Sequence, residues 1–333
     1  MLTERARSAI ELVPRGTRKR ALRTIEQAAR RLPTTAFTAP MGGRLPLVRP
    51  NVSTDKLRER LDGRRVVLTG ATSGIGLATA HALGRANADV ILVARGEDRL
   101  EQVAKEIRAL GGQADMVIAN LSDADDADRV VEEVVDRHGG ADVLINNAGH
   151  SIRRPLDRQY DRAHDFERTM ALNYFGAVRL ILGLVPGMRE RHGGHIVNVS
   201  TLGVQIGPEP RFGAYLASKA ALDAFAASVA PETAGDNVRW STVFMPLVRT
   251  PMIAPKQSAY RRLPSLSPEE GSQLVLEALV DKPRYVTTPV GTLGGLLYRL
   301  SPSAIEALFR LGFEFLSDEG EAEPERNGAS AGS

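Results

Sequence analysis

A chain of 333 residues, 43% of them hydrophobic and with a formal net charge of +3, can bury a full core. It has no cysteine, which excludes disulfides, thiolate metal sites and any acyl-thioenzyme intermediate. The six histidines are scattered, with no His, Asp and Glu grouping at ligand spacing, so no metal is expected, and nothing points to a nucleic-acid partner.

Residues 1–50 hold eleven arginines and lysines against three glutamates, a net +8 that leaves −5 on residues 51–333. Leu22, Ile25, Ala29 and Leu32 recur at helical spacing among Arg18, Lys19, Arg20, Arg23, Arg30 and Arg31. Two readings stay open for this arm: a basic amphipathic helix making peripheral contact with an anionic membrane, or an extension packed on the domain or on a partner subunit. No uninterrupted apolar stretch follows the charges as in a secretory signal. A cytoplasmic protein, membrane-associated if the first reading holds, is the expectation. A linker with prolines and glycines, residues 33–50, separates the arm from the body of the chain.

Residues 64–69 (RRVVLT) form a short β-branched run that passes into Gly70-Ala71-Thr72-Ser73-Gly74-Ile75-Gly76 and then into a helical pattern over 77–86. Strand, glycine turn and helix start in this order let the backbone approach a pyrophosphate and present free N–H groups to it. Strands are expected at 89–94, 115–119, 142–145, 195–199 and 238–244, and helices at 97–110, 123–138, 161–191 and 213–230. Near-continuous apolar strands alternating with helices predict an α/β fold, a Rossmann-type doubly wound parallel sheet with both faces covered. The expected layout is the arm and linker (1–50), one nucleotide-binding domain (60–290), an apolar helical extension (291–316) and a disordered acidic, then small and polar, tail (317–333).

The extension is rich in leucine and phenylalanine but is broken by Gly291, Gly294, Gly295, Pro302 and Gly312, and no uninterrupted run reaches the ~20 residues needed to cross a bilayer. It reads either as a helix packed on the domain or across a dimer, or as a lid over an acyl chain that is shared with the membrane surface.

Tyr215-Leu216-Ala217-Ser218-Lys219 places a phenol and an ammonium one helical turn apart on the same face, and Ser200-Thr201 lies shortly before them. A neighbouring cation favours the phenolate and would draw the tyrosine pKa toward the working range. Alone, the pair is more readily a chance match or an ordinary surface pair. In company with the glycine loop, TGATSGIG at 69–76, the NNAG segment at 146–149, Asn173 and the hydroxyl pair, the chain resembles the short-chain dehydrogenase/reductases over roughly residues 60–290. INNAGHSIRR (145–154), HDFERTMALNYFGAVRL (164–180), YLASKAALDAF (215–225) and MPLVRTPMIAP (245–255) bring it nearer to bacterial NADPH-dependent fatty acyl-CoA reductases.

The resemblance implies that Tyr215 gives a proton to the substrate carbonyl, that Lys219 lowers the Tyr215 pKa and bonds the nicotinamide ribose, and that Asn173 holds a relay water. The family's catalytic serine falls on Thr201 counted from the strand, but on Leu202 counted back from Tyr215, so one residue is inserted in the 205–210 loop. Thr201 is the expected hydroxyl and Ser200 the alternative. Cofactor contacts are expected from Gly70, Thr72, Ser73, Gly74, Ile75, Gly76, Asn120, Leu121, Asn147, Ala148, Gly149, Tyr215, Lys219, Pro246, Val248 and Thr250. After the second strand, Ala94-Arg95 stands where an acid would bond the 2′-OH of NAD, so Arg95 is matched to a 2′-phosphate and NADP(H) is expected. Asn120 replaces the family's usual aspartate at the adenine edge. The implied activity is reduction of long-chain acyl-CoA to aldehyde, by direct hydride addition because no cysteine is available; reduction of ketones or aldehydes is the alternative. A homo-oligomer is expected.

Overall fold

A computed structural model of the protein describes residues 51–253 and 264–316; the basic arm and the acidic tail lie outside the described residues. In chain order the elements are α1 (Thr54–Leu61), β1 (Arg65–Thr69), α2 (Gly74–Arg85), β2 (Asp89–Ala94), α3 (Glu97–Ala109), β3 (Gln113–Ile118), α4 (Ala124–His138) and β4 (Val143–Asn146). Then follow α5 (Ala163–Glu190), β5 (Gly194–Thr201), α6 (Leu202–Ile206), α7 (Gly213–Val229), β6 (Val238–Met245), α8 (Pro268–Asp281), β7 (Tyr285–Val286), α9 (Pro289–Leu300) and α10 (Pro302–Leu316). The seven strands form one parallel sheet in the order β3-β2-β1-β4-β5-β6-β7. This is the doubly wound sheet that the apolar runs predict.

Alternating side chains send each strand's residues to opposite faces. Val66, Leu68, Val90, Leu92, Ile145 and Val197 join one core with α1, α2, α3 and α8, while Val67, Ile91, Val93, Leu144 and Ile196 join the other with α4, α5 and α7. α5 is 28 residues and apolar enough by length to cross a membrane, yet its Leu180, Ile181, Leu184 and Met188 are buried in the second core. It is a core helix.

Three departures from the sequence expectations have physical reasons. β3 begins two residues early because Gln113 and Ala114 extend the ladder opposite Asp89 and Val90. α5 is not uniform: Ala171–Gly176 forms a π turn, a feature that often marks functional sites. α8 carries a capping box, in which the Glu270 N–H donates to Ser267 Oγ and the Ser267 N–H to Glu270 Oε2, and it buries residues on nearly every side. Such a helix shows little polar and apolar contrast to read.

The strand order reverses between β1 and β4. In sheets of this kind the crevice at the carboxyl ends of the strands, at that reversal, is where ligands bind.

Candidate active site

The glycine loop sits at this crevice. Gly70 and Gly74 have φ of +66° and +53°, which L side chains adopt reluctantly, and a Cβ on Gly76 would overlap the Gly70 carbonyl oxygen. Thr69 fastens the loop to β4: its buried hydroxyl accepts from the N–H groups of Asn147 and Ala148, each at 3.0 Å, and donates to the Ile145 carbonyl. Asn147 Nδ2 in turn donates to the carbonyls of Thr69 and Gly70 at 3.0 and 3.1 Å. The loop is thereby preformed, with backbone exposed at the start of α2, as a dinucleotide pyrophosphate requires.

α7 carries Tyr215 and Lys219 into the same cleft. Lys219 is buried and donates to the Val199 carbonyl at 2.8 Å. Asn173, buried in the π turn of α5, accepts from the His150 N–H at 2.8 Å and donates to the His150 carbonyl and to Ser218 Oγ, both at 2.9 Å. Ser218 completes the link by donating to the Tyr215 carbonyl at 2.7 Å. A Cβ on Gly149 would lie 3.3 Å from Lys219 Nζ and 3.4 Å from Asn173 Oδ1, so this glycine lets the loop after β4 pass close to both.

The pleat of β5 sorts the hydroxyl pair. Thr201 hydrogen-bonds with the Tyr215 phenol and also accepts from the Gly203 N–H at 3.4 Å. Ser200 borders the cleft too, but its Oγ is buried without a hydrogen bond among the described residues. Leu202 opens α6 and packs toward Gly291 of α9.

Electrostatics here run against the sequence expectation. The Tyr215 phenol is pushed up, first by burial and then by the charge of Glu209, and only the Thr201 hydroxyl pulls it down. Burial lowers the Lys219 ammonium to about 8, and its proton is directed at the Val199 carbonyl. Glu209 is itself raised by burial, with Arg153 opposing. Its carboxylate lies against Gly203 and borders the cleft. The sequence offers no signal for it beyond a lone acid in the inserted loop.

The cleft, roughly 420 Å³, is lined by Gly70, Ser73, Gly74, Ile75, Gly76, Asn147, Ala148 and Gly149 on the nucleotide side. Pro246, Val248 and Thr250 border it after β6, and Ile206, Phe212, Met245, Met252 and Phe309 give it an apolar wall. Four expected cofactor residues lie outside this lining. The Thr72 carbonyl accepts from Arg99, and Leu121 is buried with its carbonyl against Gly176. Asn120 is exposed and shapes the turn before α4, its Oδ1 accepting from the Ser122 N–H and its own N–H bonding Asp126. Arg95 is exposed at the end of β2, near enough to His150 that its charge, after burial and Arg168, lowers that imidazole.

The model of the short chain dehydrogenase family matches residues 64–261. An uncharacterized oxidoreductase of Mycobacterium tuberculosis is 46% identical over 269 residues, covering 80% of this chain and 78% of that protein. A fatty acyl-CoA reductase of Acinetobacter baylyi is 44% identical over 256 residues, covering 77% of this chain and 86% of that protein. Among solved structures, a metagenomic short-chain oxidoreductase in complex with NADP is 32% identical with a TM-score of 0.58, covering 66% of this chain and 92% of that one.

Proposed function

Because the chain belongs to the short-chain dehydrogenase/reductase family, we propose that this oxidoreductase uses NADP(H) to reduce long-chain acyl-CoA to fatty aldehyde. The observation that carries the reading is the convergence of Tyr215, Thr201 and Lys219 on a cleft with a preformed glycine cradle on one side and an apolar wall on the other, with Asn173 buried behind it and bonded to Ser218 of the same helix as Tyr215.

The cradle fits the cofactor: side chains at Gly70, Gly74 and Gly76 would collide with Ala148, Thr250 and the Gly70 carbonyl, so only glycines let the loop close into the tight strand-to-helix turn that a pyrophosphate needs. Arg95, exposed just after β2 where an acid would meet the 2′-OH of NAD, would pair with a 2′-phosphate. When bound, the reduced nicotinamide supplies a hydride. Tyr215 delivers its proton to the substrate oxygen as negative charge develops there, and Thr201 donates to the same oxygen. A phenol kept protonated by burial is a competent donor over the whole neutral range. Lys219 stabilises the phenolate left behind and holds a ribose hydroxyl. Both amide hydrogens of Asn173 are taken by protein groups, so a relay water there has the second Oδ1 lone pair or the backbone carbonyl to bind. The net reaction takes up one hydride and one proton; the thioester C–S bond breaks, and aldehyde and free thiol leave.

The relative's name and the apolar wall of Ile206, Met245, Met252 and Phe309 favour an acyl substrate. Following NADPH absorbance with palmitoyl-CoA, alongside a thiol reagent, tests it: one thiol should appear per NADPH consumed. Oxidation of NADPH by ketones or aldehydes, with none by acyl-CoA, would make the protein a carbonyl reductase instead.

A further inference from the structure

α9 is built inside out. A surface helix of a soluble protein turns its apolar residues inward. Here the inward residues are glycines: a Cβ on Gly291 would overlap Leu202, one on Gly294 would lie 3.1 Å from Ile206, and one on Gly295 would lie 2.9 Å from the Gln205 carbonyl. The outward residues are Leu293, Leu296, Leu297 and Leu300, spaced i, i+3, i+4, i+7 and 58%, 52%, 45% and 73% exposed. Leu308 of α10 is also exposed. The glycines let α9 lie close on α6, and the leucines contribute nothing to the core.

This face adjoins the cleft. Phe309 of α10 lines the cleft, and Tyr298 of α9 packs on Gly207, another lining residue. On charge, α9 carries no acid and one cation, Arg299, exposed beside Leu300, while Leu308 on α10 lies between the exposed Glu306 and Arg310. A leucine stripe with a cation at its edge matches the acyl chains and anionic headgroups of a bilayer.

We propose that the leucine face of α9, with Leu308, is a docking surface for an anionic bilayer, seated at the boundary between headgroups and acyl chains. The acyl-CoA reading supplies the purpose of this contact only, and vesicle binding is measured without substrate, so the two stand or fall separately.

The test uses the full chain with vesicles of phosphatidylcholine containing phosphatidylglycerol. At about 1 M salt the Debye length is roughly 3 Å, so attraction by the basic arm is screened while burial of leucine persists. Binding should survive that salt. The double variant Leu296→Gln/Leu300→Gln should bind about 100-fold more weakly there, about tenfold for each leucine. Its melting temperature should match the parent's, because both side chains are exposed. Leu300→Trp keeps the face apolar, and its fluorescence should be quenched by brominated lipid; the chain's one native tryptophan, Trp240, is buried. Loss of all binding by the parent at high salt, equal binding by the double variant, or an unquenched Leu300→Trp would overturn the proposal. So would a double variant that binds vesicles normally but sediments as a smaller oligomer, since a second copy would then be the occupant.

Discussion

Lys219 should make the cofactor-free protein less stable than it could be, and the cost should depend on pH. Burial lowers its pKa from 10.5 to about 8, so the unfolded chain holds the proton more tightly than the folded one. Between those values stability therefore rises with pH, and below about 8 the full penalty applies, roughly 3 kcal/mol for a shift of this size. Lys219→Met removes the charge but also the hydrogen bond to Val199, which offsets about 1 kcal/mol of the gain. Urea unfolding of the apo variant at pH 7 should thus show about 2 kcal/mol more stability than the parent, although reductase activity is lost. At pH 9.5 the penalty shrinks to roughly 1 kcal/mol, and the two proteins should then be nearly equal in stability. Taking the difference between parent and variant cancels the titration of every other group. A gap that is absent at pH 7, or that stays constant to pH 9.5, would refute the claim that desolvation governs this lysine.

Tyr215→Phe keeps the ring and removes the proton, so turnover should fall by roughly 100- to 10,000-fold with NADPH affinity nearly unchanged; a loss under about tenfold in steady-state assays would remove Tyr215 from the chemistry. Thr201→Val should cost far more activity than Ser200→Ala, because of the pair only Thr201 acts on the phenol; equal losses in parallel kinetics would refute this, and a larger loss from Ser200→Ala would reverse the assignment. For Arg95→Ala, titration should show NADPH binding weakened by roughly 10- to 150-fold with NADH unaffected; an unchanged preference would place selectivity elsewhere. Glu209→Gln removes a negative charge that raises the phenol, so the alkaline limb of the rate profile should move to lower pH, and a shift the other way would contradict that influence.

Much of this was legible in the chain. The β-branched runs mark the strands because a sheet covered on both faces demands them, and the glycine loop is readable because Gly76 leaves no room for a side chain. The hydroxyl was ambiguous by counting, since an insertion breaks the spacing to Tyr215; the alternation of β5 separates Ser200 from Thr201 in a way no count can. The direction of the Tyr215 shift is not legible because spacing reports the neighbour Lys219 but neither the burial nor the Glu209 charge that raise the phenol. Glu209 carries no periodic signature, and its significance arises only when the 205–210 loop folds over Gly203. α9 concealed its orientation because the face that touches the protein is the one without side chains.

The π turn in α5 has a consequence for how the chain can vary. Such a turn holds one residue more than the regular winding, so the two halves of the helix stay in phase with the sheet only because the surplus is absorbed between Ala171 and Gly176. Shortening this stretch by one residue would give an unbroken helix with both halves still seated, and would swing the Asn173 amide away from His150 and Ser218. The locus therefore sets backbone regularity against chemistry: the form that winds best is the one that disconnects the loop after β4 from the helix bearing Tyr215.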